Sequence, residues 1–177
     1  MMLTRPSLWT RSVRYRLTQH NLGGVSMTTI DHTAVRLTFG DDLFLRRHRG
    51  LGTPIVNQFV WRFEEAVPTT SLVSLRDELA RGALARRADR PLVPGARGRW
   101  SRATRPPELL LHPAELRDGE IVDWLRGNHA AWLHPGRGDS WRLAGARLAD
   151  GGTLLSLIVD HAVADGGAMV DAVERAA

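Results

Sequence analysis

The residue types best suited to chemistry gather near the end of the chain. Asp160 and His161 follow directly on an apolar run of Leu154, Leu155, Leu157, Ile158 and Val159, and Asp165-Gly166 stands four residues beyond the histidine. A run so nearly continuous in apolar residues is what a strand needs when both of its faces are covered. An imidazole placed where such a strand runs out into a loop is well sited for proton transfer, because the strand fixes its backbone and the strand end opens onto a cleft. Gly166 and Gly167 are expected to permit a sharp turn after it. The pattern H-x-x-x-D-G has two readings on its own residues. His161 is a general base on a loop ordered by Asp165, or Asp165 simply caps a last helix and His161 is a hydrogen-bonded loop histidine.

Elements on either side must hold this stretch in place. Asp150-Gly151-Gly152 is a hairpin signal, which makes Ser140–Leu148 the antiparallel partner of the strand that delivers His161. Met169, Ala172, Val173 and Ala176 mark a short amphipathic helix after the motif. Upstream, Val35, Leu37 and Phe39 alternate with polar residues and predict a strand near 33–39. Gly40-Asp41-Asp42 breaks it and caps a short helix through Leu43-Phe44-Leu45. The cluster Arg46-Arg47-His48-Arg49-Gly50 reads as a solvated basic loop, with a phosphate contact, for instance to coenzyme A, as its functional rival. Residues 55–63 alternate as a second strand. Leu72, Leu75 and Leu79 recur at helical spacing over 70–81, and Gly82 stops that helix. The arginines of 81–87 and 91–100 are expected to pair with local acids. Glu108–His112 is a short strand. A further helix is expected over 116–133, with Ile121, Leu125 and Trp132 on one stripe and Trp124 beside it. His129 and His134, five apart, do not share a helix face and make poor metal partners. Strands interleaved with periodic helices give an α+β fold, a mixed sheet with helices packed on it.

Composition bounds the function. A chain of 177 residues, 43% hydrophobic, is long enough for one domain with a real core. It has no cysteine, which rules out disulfides and thiolate metal sites. No apolar run approaches the roughly 20 residues that span a bilayer, and no signal-peptide core is seen, so a cytoplasmic location is expected. The sequence pI of about 11.2 invites a nucleic-acid reading. The charge distribution argues against it. Residues 1–26 hold four arginines and no acid, while 27–177 carry 20 arginines against 19 acids. Every basic side chain besides histidine is arginine, which keeps its charge to very high pH and so lifts the pI. Residues 1–26 show no periodic apolar face and are expected to be a disordered leader, with Met27 as the natural start and the domain running from 27 to 177. An arginine-rich tail for an anionic surface and a transit peptide are the other readings of that leader.

The stretch D-H-A-V-A-D-G, Asp160 to Gly166, resembles the H-H-x-x-x-D-G signature of the chloramphenicol acetyltransferase-like superfamily. That group includes condensation domains of nonribosomal peptide synthesis, wax ester synthase/diacylglycerol acyltransferases and polyketide-associated acyltransferases. The opening Asp41-x-x-Phe44-Leu45, the arginine-bearing segment after the first long helix and a Trp-Arg-Leu strand before the motif strand are similar too, so the likeness covers roughly 41–177. It implies a two-layer α/β sandwich, the N-terminal one of two lobes that share an active-site tunnel, here apparently truncated. It implies His161 as catalytic base, with Asp165 and Gly166 structural. Asp160 stands where the family has its first histidine; restoring imidazole there is expected to preserve or raise activity, unless Asp160 has taken a role of its own. The implied chemistry moves an acyl group from a coenzyme A or phosphopantetheine-linked thioester, a co-substrate and not a bound cofactor, to an alcohol or amine, with no metal. Partners implied are that donor, that acceptor and a second lobe or a second copy of the chain. The rival classes are a non-catalytic interaction module or degenerate fragment of such an enzyme, and a nucleic-acid or membrane-surface binder acting through the leader.

Overall fold

Residues 35–51, 55–93, 95–130 and 133–176 are described in this computed structural model. They form α1 (Phe39–Leu51), β1 (Val56–Phe63), α2 (Thr69–Arg81), β2 (Arg86–Asp89), β3 (Arg99–Arg102), β4 (Leu109–Leu111), α3 (Ile121–His129), β5 (Trp141–Arg147), β6 (Thr153–Asp160) and α4 (Gly166–Ala176). Single 3₁₀ turns at Asp118–Glu120 and Pro135–Arg137 precede α3 and β5. The fold is α+β, as the element pattern predicts.

β6 is the centre. Every one of its residues is buried, and it lies between β1 and β5, antiparallel to both. β4 adds to the far side of β5 in parallel, giving the order β1-β6-β5-β4. Registers Val56 with Asp160 and Trp141 with Val159 bring three strand ends together where the motif begins. Alternation along β6 sends Leu155, Leu157 and Val159 to one face, against Leu72, Leu75 and Leu79 of α2 and Met169 and Ala172 of α4. Leu154 points the other way and meets Ala146, Leu148 and Leu116, with Ile121, Trp124 and Leu125 of α3 packed over them. Each such buried leucine stabilises the fold by ~1.5–3 kcal/mol relative to exposure, which is why both faces of β6 are apolar. The hairpin between β5 and β6 turns on Gly151, whose φ of +90° suits glycine, and the Asp150 carboxylate accepts the Gly152 amide at 2.9 Å.

Three expectations are corrected. The alternation over 35–39 yields one antiparallel bridge, Arg36 to Arg99, and a helix then starts at Phe39. The cause is a reciprocal cap: the Thr38 hydroxyl accepts the Asp41 amide (3.1 Å) and the Asp41 carboxylate accepts the Thr38 amide (2.9 Å). Residues 46–50 accordingly continue α1 instead of forming a loop, and Arg46 pairs with Asp42 one turn back. The arginine-rich runs after α2 hold an unforeseen two-stranded sheet, β2 with β3, in which Ala88 opposite Trp100 is buried. The helix expected over 116–133 is shorter. Leu116 bridges Leu148 beside the sheet, and α3 proper spans only nine residues. The leader and the Met27 boundary lie outside the described residues, as does Trp132.

Candidate active site

The motif leaves the sheet under tight backbone control. The Asp160 amide donates to the Ser140 carbonyl at 2.9 Å, and the His161 amide to Ile55 at 2.9 Å. The Asp160 carbonyl then accepts both Val163 (2.9 Å) and Ala164 (3.3 Å), closing a turn over Ala162, Val163 and Ala164, all buried. His161 is the half-exposed exception between buried neighbours. Its ring stacks on Phe44 of α1, centroids 4.6 Å apart and planes 24° from parallel.

Asp160 is only 2% exposed, and its Oδ1 accepts the Ala162 amide at 2.9 Å. This is an Asx turn, a fold that a short carboxylate makes with its own backbone two residues on. Asp160 is therefore built into the loop. Asp165 is exposed and caps α4: its Oδ1 accepts the Ala168 amide at 2.8 Å and its carbonyl the Met169 amide at 3.0 Å. The cap was one of the two roles left open by the residues. Gly166 and Gly167 do not make the turn. Neither has a positive φ, and both are the first residues of α4. The turn comes from Asp160 and the residues after it. A Cβ at Gly166 would meet nothing within 4 Å, so this position borders open space.

Residues distant in sequence complete the site. Asn57 Nδ2 donates to the Ala164 carbonyl at 3.1 Å. It is the one polar residue on the β1 face that carries Phe59, Trp61 and Phe63, and this interruption is the signal that sequence reading passed over. Arg86, on β2, points inward instead of pairing with an acid. Its guanidinium lies 5.9 Å from the Trp100 ring centroid and makes a long contact, 3.5 Å, with the Val163 carbonyl. Burial lowers its pKa, and the charge of Asp41 acts the other way. Trp100 in turn donates Nε1–H to Asp41 at 3.1 Å, and Ser140 Oγ donates to the Arg86 carbonyl at 2.6 Å. Two other arginines of this region do pair locally, Arg81 with Glu78 and Arg87 with Asp89. Among the described residues no group of three or more histidine, aspartate or glutamate side chains could hold a metal ion. No described helix is long and apolar enough to cross a membrane.

The arrangement of these elements is similar to that of condensation domains. A condensation domain of the calcium-dependent antibiotic synthetase superposes with a TM-score of 0.66 at 20% identity, over 81% of this chain and 36% of that one. The starter condensation domain of rhizomide synthetase gives 0.66 at 14% identity, over 82% and 36%. The complex of the X-domain and OxyB from teicoplanin biosynthesis gives 0.66 at 18% identity, over 88% and 34%. The chain thus has the fold of one lobe of a condensation domain, within the chloramphenicol acetyltransferase-like architecture, and spans a little over a third of these chains' length. No protein-family model and no curated protein sequence matches it.

Proposed function

We propose that the chain is the histidine-bearing, N-terminal lobe of a condensation-type acyltransferase. The observation that carries this reading is His161 itself, fixed by its backbone at the end of β6, half-exposed, on a lobe of condensation-domain fold. In the proposed reaction an alcohol or amine attacks the carbonyl carbon of a thioester, supplied on coenzyme A or a carrier-bound pantetheine. Neutral His161 takes the acceptor's proton as the new C–O or C–N bond forms. The C–S bond then breaks, and the imidazolium returns the proton to the leaving thiolate. No metal and no acyl-enzyme is needed. Positioning of the two substrates, worth ~7–11 kcal/mol when complete, requires a second wall. A second lobe, or a second copy of the chain, supplies that wall in this proposal, and the lone lobe turns over little or nothing. The location proposed is the cytoplasm.

A second reading is a non-catalytic interaction module. It draws on the departure at Asp160 and on the neighbour described in complex with another protein, OxyB. Thioester-dependent acylation, assayed with the chain alone and with a second lobe on a separate polypeptide, separates the two. Activity that appears only on reconstitution and depends on His161 supports the enzyme; robust activity from the lone chain overturns the half-site argument; inactivity in both arms, with retained binding of a protein partner, supports the module.

A further inference from the structure

The hydrogen bond from the His161 amide to Ile55 fixes the backbone of the histidine but leaves the torsions of its side chain free. A base must present a ring nitrogen in one direction, so something has to hold the plane of the ring. Phe44 is in place to do so. With the rings 4.6 Å apart and 24° from parallel, rotation of the imidazole about its Cβ–Cγ bond would drive a ring edge into the phenyl face. The lone pair that accepts a proton lies in the imidazole plane, across the stacking direction, so the stack leaves it open. Phenylalanine also offers no polar atom to compete for that nitrogen. The phenyl is held in turn: Leu45 beside it is buried, and the cap of α1 is tied through Asp41 to Trp100 of β3.

We propose that Phe44 is the positioning residue that sets the plane of His161, and that α1 with its Asp41–Trp100 tether acts as the brace for that stack. This rests on the reading of His161 as a general base, and its test is chosen so that each can fail separately. The first arm is solution NMR of the full chain, with the His161 ring protons assigned by their loss in His161→Ala. Phe44 in flat contact displaces them upfield. Phe44→Leu, which keeps an apolar side chain of similar bulk, removes the displacement, and Phe44→Tyr, which keeps the flat ring, retains it. The second arm measures acyl transfer with the second lobe supplied. Phe44→Leu lowers kcat by about two- to tenfold with little change in KM, the range expected when one ordered side chain is freed, and Phe44→Tyr restores it. Ring-proton shifts that do not respond to Phe44→Leu, or leucine and tyrosine variants that lose kcat equally, overturn the proposal. Turnover unchanged in His161→Ala with the ring shifts behaving as stated overturns the base assignment alone and leaves the stack as the device that orients the ring.

Discussion

Replacing Asp160 by alanine probes the loop that carries His161. The substitution removes the oxygen that accepts the Ala162 amide at 2.9 Å. Ala162 is buried, so its N–H has no water to turn to. An orphaned buried donor costs ~1–3 kcal/mol. The backbone bonds of Asp160 to Ser140, Val163 and Ala164 need no side chain and remain. The expected loss for Asp160→Ala is about 2 kcal/mol, which lowers Tm by roughly 4–8 °C for a chain of this size. Asp160→Asn keeps an acceptor oxygen in the same place and should cost about 1 kcal/mol or less. Asp160→His puts a larger ring with one acceptor nitrogen into a filled site and should do no better than alanine. Histidine at 160 is thus expected to weaken the fold, even though the H-H-x-x-x-D-G signature that this stretch resembles has it there. Thermal and urea denaturation of the full chain, followed by circular dichroism, checks the series. Alanine within ~0.5 kcal/mol of wild type, or asparagine as damaging as alanine, would refute the assignment of an Asx turn.

Other consequences follow from the hairpin that aims β6. A Cβ at Gly152 would lie 2.5 Å from the Phe63 carbonyl, so Gly152→Ala must shift β1 or the turn and should cost ~1–3 kcal/mol in urea denaturation; a silent substitution would contradict the close approach. The same turn carries a pH dependence. The Asp150 carboxyl is held below its ordinary value near 3.8 by the Gly152 amide and then by Arg62. A group depressed on folding contributes stability that is present above its unfolded pKa and is lost as the pH falls through the folded one. Acid titration should therefore show a loss of stability below about pH 4 that is smaller in Asp150→Asn, and identical acid profiles for the two proteins would exclude the clamp.

How much was legible depends on how far each signal reaches along the chain. The β5–β6 hairpin, α2 and α4 announce themselves locally, through Gly151, through Leu72, Leu75 and Leu79, and through Met169 and Ala172. The places of His161 after β6 and of Asp165 before α4 were legible for the same reason: both sit in one short pattern bounded by an apolar strand. The helix through Leu43–Leu45 was legible, but the start of α1 was misread because Val35, Leu37 and Phe39 imitate a strand, while the Thr38–Asp41 cap that decides the matter takes two side chains in a reciprocal arrangement. The β2–β3 pair escaped because four-residue strands rich in arginine carry little periodicity, and their stability comes from Ala88 and Trp100 buried under other elements. Asn57 and Phe44 reach the motif from the other end of the chain, the former across 107 positions, and no local pattern encodes such a meeting. Gly166 and Gly167 show the converse error. Glycine after a strand suggested a turn, yet their backbone is ordinary helix, and the turn was made by a carboxylate.

The most direct test of the central claim is acyl transfer from a thioester to an alcohol or amine, measured with the full chain and a second lobe on a separate polypeptide, for wild type against His161→Ala. A general base contributes typically 10²–10⁴-fold, so the account predicts that the alanine variant, equally folded by circular dichroism, loses kcat by a factor in that range. Undiminished turnover in His161→Ala would contradict it.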